Sequence, residues 1–132
     1  GYPNGLWDQK NNFPILRRGV TASHPGIDFN GISQGLVDIA AFPGSSGSPV
    51  LIADQGTYTN KGGVVIGSRA LFLGMLWGGP QLTANGDIKI VDAPTKKIPI
   101  SQTNIPIHLG YYIKAKEILA LKSEVFKQLS IK

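Results

Sequence analysis

The sequence predicts an all-β domain, an antiparallel sandwich or barrel, followed by one C-terminal α-helix. Three observations predict it. Short runs rich in β-branched and aromatic residues succeed one another from Pro14 to Ile113, without the intervening helices that a βαβ fold needs. Seventeen glycines and nine prolines in 132 residues are scattered between those runs, as in many short strands joined by turns rather than a low-complexity tract. Only near the end does the period change. In KAKEILALKSEVFKQLS, Ile118, Leu121, Val125 and Leu129 recur at spacings of three and four, marking an apolar stripe on a helix expected to pack against the β body.

The strand candidates, in order, are GVTAS at 19–23, GLVDIA at 35–40, SPVLIA at 48–53, GVVIGS at 63–68, ALFLGMLW at 70–77, DIKIV at 87–91 and IPIHLGYYI at 105–113. Turn signals fall between them: PNG at 3–5, NG at 30–31, TYTNKGG at 57–63 and ANGD at 84–87. Asn and Gly accept the positive φ that tight hairpins require, and ANGD is the best hairpin candidate. In the last strand Tyr111 and Tyr112 alternate, so one is expected to face inward and the other solvent.

A hydrophobic content of 42% in 132 residues is enough for a single buried core, and no internal repeat or linker divides the chain. The absence of cysteine excludes a disulfide framework, a cysteine zinc site and thiol chemistry. It leaves the compartment open, with the cytoplasm slightly favoured. No apolar run approaches the roughly 20 residues that span a bilayer, so no membrane partner is expected. Much of the net charge of +5 comes from Lys114, Lys116, Lys122, Lys127 and Lys132 on or beside the helix. Without interleaved stacking aromatics these read as a solvated face, not a nucleic-acid surface.

The segment AAFPGSSGSPVLI, Ala40 to Ile52, carries the chemistry. A serine hydroxyl attacks a carbonyl only if a base takes its proton and positive dipoles await the developing oxyanion. A glycine two residues earlier lets the backbone turn its N–H toward the same point as the serine's own N–H. Gly44 and Ser46 have that spacing, Gly47 leaves room for a substrate, and Pro49 ends the loop before a strand.

PGSSGSPV resembles the GxSGxP signature of the trypsin-like, chymotrypsin-fold serine peptidases, with Ser46 at the nucleophile. Well-known members have aspartate before that serine and glycine two residues after it, where this chain has Ser45 and Ser48. LGMLWGG, Leu73 to Gly79, is similar to the family's substrate-pairing strand. IPIHLGYYIKA with the following helix resembles its last strand and C-terminal helix. GYPNGLWDQKNNFPILRRGVTAS resembles the start of the second barrel in bacterial members.

The resemblance implies a Greek-key-type β-barrel over residues 1–113 with a packing helix over 114–130. The two form a single domain, 1–132, that belongs to a longer two-barrel protein. It implies a serine endopeptidase working through an acyl-enzyme, with Ser46 as nucleophile and the N–H groups of Gly44 and Ser46 as oxyanion donors. Substrate-binding residues would be Ala40, at the base of the specificity pocket by direct counting, with Pro43, Leu76, Trp77 and Gly78; Met75 would also line the wall. Alanine at the base implies a small or apolar side chain rather than a basic one. Leu76 and Met75 fit equally well as core residues, and Asp38, the nearest carboxylate, fits better as an acceptor for backbone N–H groups.

The family's triad orders histidine and aspartate well upstream of the serine, on another barrel. His24, Asp28 and Ser46 stand in that order but too close together in sequence, so His24 reads as a turn residue in SHPG and His108 as a structural residue of the last strand. No metal or cofactor is expected, since two isolated histidines form no ligand pattern. The expected partners are a peptide or protein substrate and an N-terminal barrel of the same protein that brings the base. Two other readings stay open: a non-catalytic peptidase-like binding module, and a complete protein that dimerises through the surface where such a barrel would dock.

Overall fold

The computed structural model describes residues 1–87 and 100–129. After a short 3-10 turn at Pro3–Gly5, the chain forms β1 (Val20–Thr21), β2 (Gln34–Asp38), β3 (Pro49–Asp54), β4 (Thr57–Asn60), β5 (Gly63–Ile66), β6 (Arg69–Gly78), β7 (Gln81–Asp87), β8 (Ile100–Pro106) and β9 (Leu109–Lys114). One helix, α1 (Ala115–Leu129), follows directly. The expected all-β body with a C-terminal helix is present.

Five strands form one antiparallel sheet in the order β1-β2-β9-β6-β3. The pairs β4–β5 and β7–β8 are separate two-stranded hairpins. The main sheet curls into a half-barrel. Its register slips between Val50 and Leu51 against β6, and between Leu76 and Gly78 against β9; such bulges bend a strand and increase local twist.

Alternation along β2 and β9 sends Val37 and Tyr112 inward, where they meet Leu76 of β6 as the buried core. Ile39, Ala41, Val50 and Leu73 pack around these three. Tyr112 is fully buried. Its neighbour Tyr111 turns to the opposite face, where it is half-buried and stacks on Trp77 at 5.6 Å between ring centroids; the two tyrosines alternate as expected, but Tyr111 meets aromatic rings as well as solvent.

An ion-pair cluster ties the start of the chain to its end. The ammonium of Lys114, buried at the close of β9, sits 2.8 Å from the Asp28 carboxylate, and Lys116 joins from the first turn of α1 at 3.0 Å. Both bonds hold the Asp28 carboxyl below the usual carboxylate range, with the Lys114 hydrogen bond the larger cause. A charge as buried as Lys114 is tolerated because it is paired.

Three local expectations need correction. TYTNKGG is not a long turn: Thr57–Asn60 and Gly63–Ile66 pair as a hairpin. ANGD is not a reversal, since Asn85 and Gly86 lie within β7 opposite Gln102 and Ser101. IPIHLGYYI is two strands, broken at His108, whose φ of 59° is left-handed. The DIKIV strand candidate lies, after Asp87, outside the described residues. The helix forms as expected, but its apolar stripe hardly touches the sheet. Ile118 is half-buried, while Leu121, Val125 and Leu129 are exposed.

Candidate active site

Residues 42–48 fold into two linked turns. The Ser45 N–H donates to the Phe42 carbonyl at 3.0 Å, and the Ser48 N–H to the Ser45 carbonyl at 3.2 Å. Gly44 and Gly47 adopt φ of 85° and 84°, a region that side chains resist. Gly44 has a second constraint, because a Cβ there would overlap the Tyr2 carbonyl.

The loop is clamped on two sides. From the opening turn, the Asn4 N–H donates to the Pro43 carbonyl at 2.6 Å. From β6, the Leu76 carbonyl accepts from Gly47 at 2.7 Å, and the Leu76 N–H donates to Ser48 at 2.9 Å. Ser45 is buried beneath the loop with its hydroxyl unpartnered among the described residues.

Ser46 stands exposed at the tip. Its hydroxyl donates to the Trp77 carbonyl at 3.0 Å. Its own N–H and that of Gly44 make no hydrogen bond within the described residues. Two N–H groups without a partner, two residues apart and beside an exposed hydroxyl, are the kind of donors from which an oxyanion hole is built.

Ser46 opens on a cleft of about 150 Å³ between the loop, the end of β6 and the adjoining hairpin, lined among others by Ala41, Phe42, Pro43, Leu76, Gly78 and Pro106. That volume suits one side chain of about benzene size. The lining is largely apolar.

The structure thus brings Ser46, Pro43, Leu76 and Gly78 together, with Gly44 in the same loop. Trp77 contributes its backbone carbonyl, while its half-exposed indole stacks on Tyr111. Leu76 is both cleft wall and buried core. Ala40 lies elsewhere: it lines a larger cavity of about 630 Å³ with Arg17, Arg18, Asp38 and His108, and the next residue, Ala41, faces the Ser46 cleft. Met75 is partly exposed and does not line the cleft.

Sequence reasoning missed Ala41, Phe42, Pro80, Gln81 and Pro106. The first two adjoin residues it singled out. Gln81 and Pro106 pair across the β7–β8 hairpin, a long-range arrangement with no local signal.

Neither histidine serves Ser46. His24 is exposed, and its Nδ1 accepts the Gly26 N–H at 3.1 Å within its own turn. Asp28 is held by Lys114 and Lys116, so His24, Asp28 and Ser46 do not assemble as a triad. His108 packs edge-on against Phe42, 6.0 Å between centroids, and its carbonyl accepts from Ile39. No group of three or more His, Cys, Asp or Glu able to hold a metal ion occurs among the described residues.

No family model, curated protein or solved structure matches the chain. The functional reading therefore rests on the geometry of the Ser46 loop.

Proposed function

We propose that this chain is the second, Greek-key barrel of a chymotrypsin-fold serine endopeptidase, supplying nucleophile, oxyanion hole and side-chain cleft. The observation that carries the reading is the exposed Ser46 hydroxyl at the mouth of an apolar cleft, beside the uncommitted N–H groups of Gly44 and Ser46. The rigid clamp from Asn4 and Leu76 supports it, because oxyanion donors act best when already fixed in place.

The substrate seats an apolar side chain in the cleft. The Ser46 hydroxyl then leaves the Trp77 carbonyl, gives its proton to an imidazole on an N-terminal barrel, and attacks the peptide carbonyl. The Gly44 and Ser46 N–H groups receive the oxyanion. Collapse expels the amine, protonated by the imidazole, and leaves Ser46 acylated; water then releases the acid by the reverse sequence.

A fluorophosphonate probe on the full-length protein tests this reading. Covalent labelling at Ser46, absent in Ser46→Ala, is expected. A folded protein that stays unlabelled excludes it.

A second reading is a peptide-binding module without chemistry. It is favoured by one observation, that the Ser46 hydroxyl bonds a carbonyl and not a base. Peptide binding without labelling would identify it.

A further inference from the structure

The larger cavity is not used by the chemistry above. Arg17, Arg18, Asp38, Ala40 and His108 line it. It is separated from the Ser46 cleft by Phe42, whose ring lines that cleft and meets the Arg17 guanidinium at 5.2 Å and the His108 ring at 6.0 Å. Neither arginine pairs with a carboxylate among the described residues, although Asp38 lines the same cavity.

Two guanidiniums that line one concavity without a carboxylate partner among the described residues are donors for a carboxylate, which the planar fork binds through paired N–H groups. The cavity faces solvent and its walls are partly apolar, with Ile15, Leu16 and Ile39 among them. It can therefore hold the methylene stem of an acidic side chain while the head meets the arginines.

We infer that this cavity is a subsite for an acidic residue, so that the peptide ligand of the Ser46 cleft carries Asp or Glu about two positions from the side chain that fills the cleft. The spacing follows from an extended chain, in which residues i and i+2 lie about 6.6 Å apart on one face. Phe42 of the cleft touches Arg17 of the cavity, so the two recesses are neighbours that one extended peptide can reach. Asp38 is the one opposing charge among the cavity residues; it limits affinity and favours a single carboxylate over a polyanion.

The inference rests on reading the Ser46 cleft as a peptide site, but its readout is binding. Loss of acid selectivity and loss of fluorophosphonate labelling are therefore separate results. The experiment measures fluorescence anisotropy of labelled peptides with the full-length Ser46→Ala protein, which cannot turn them over. Peptides with an apolar anchor and Glu two residues to either side are compared with the Gln counterparts.

A preference for Glu of about two- to fivefold at low salt is expected, the range for solvent-exposed charge pairs with good geometry. It should weaken at high salt. Arg17→Gln with Arg18→Gln should bring the Glu and Gln peptides to equal affinity, and Asp38→Asn should increase the preference. Equal affinity for the Glu and Gln peptides overturns the inference, as does a Glu preference that survives the double arginine variant. If no peptide binds, the cleft reading itself fails with it.

Discussion

The Tyr112 ring lies over Gly35 so closely that a side-chain carbon on the glycine would overlap the phenol. The two residues face each other across β2 and β9. The missing side chain on one strand is the space in which the other strand's fully buried ring fits. Gly35→Ala is therefore expected to destabilise by about 1–3 kcal/mol through overpacking. Denaturant unfolding measures it, and an unchanged midpoint would mean that the ring has room to move.

The same ring carries a hydroxyl with no partner among the described residues. A buried hydroxyl without a hydrogen bond loses its solvation for nothing, so Tyr112→Phe should be neutral or stabilising by up to about 1 kcal/mol. Burial also raises the Tyr112 pKa above its ordinary value near 10. The folded state thus keeps its proton at a pH where the unfolded chain has lost it. Its stability contribution is complete below about pH 10 and declines above that as pH rises. Alkaline melting curves should show this slope in wild type and less of it in the Phe variant.

Asp28 gives the opposite dependence. Its carboxyl is held below the ordinary value by the hydrogen bond from Lys114, then by that from Lys116. Stability from this cluster is present above the unfolded carboxylate range and is lost as pH falls through the lowered folded pKa. Asp28→Asn should flatten the acid limb of the stability curve. It should also destabilise at neutral pH more than Lys114→Met does, because it leaves the buried ammonium unpaired whereas the latter removes the charge. Urea midpoints across the acid range measure both effects, and the reverse ranking would refute the pairing argument.

Two glycines of the serine loop share a left-handed backbone but not their surroundings. Gly47 has open space where a Cβ would stand, while at Gly44 the Tyr2 carbonyl occupies it. Gly47→Ala should cost about 1–2 kcal/mol from conformation alone. Gly44→Ala should cost more, and should also displace the Gly44 N–H proposed above as an oxyanion donor. Comparing thermal stability with fluorophosphonate labelling separates the two effects, and equal losses in both variants would count against the contact with Tyr2.

Much of the main sheet was legible because its strands are apolar, β-branched and bounded by turn residues: 35–40, 48–53 and 70–77 each overlap an observed strand. The errors share a cause, which is that strand pairing outweighs local preference. Asn85-Gly86 has the composition of a turn, yet both residues are paired within a seven-residue ladder. Thr57 to Thr59 had strand character and was hidden by the Asn-Lys-Gly-Gly that follows. The break at His108 was hidden because Ile107, His108 and Leu109 read as one continuous strand, although histidine enters positive φ more readily than most side chains do.

For the site, the spacing of Gly44, Ser46 and Gly47 was readable because backbone geometry alone dictates it. The walls were not, because Gln81 and Pro106 reach the cleft through hairpin pairing. Direct counting singled out Ala40, whereas Ala41 lines the cleft at Ser46 and Ala40 lines the larger cavity, a distinction that only the fold could show.

The position of β9 sets the order in which this molecule can assemble. Leu109–Lys114 is the last strand in the chain, yet it lies in the middle of the sheet and joins β2 to the β6–β3 pair. The Lys114–Asp28 bridge spans 86 residues. A ribosome that has not yet released the residues beyond Pro106 has made the flanks without their keystone, leaving β2 and β6 with open edges that invite mispairing. Contacts so distant in sequence make for slow folding, and this chain is expected to lean on chaperones during synthesis more than a helical domain of equal length. Refolding from denaturant in the millisecond-to-second range or slower, lost on truncation after Pro106, is the kinetic signature of that arrangement.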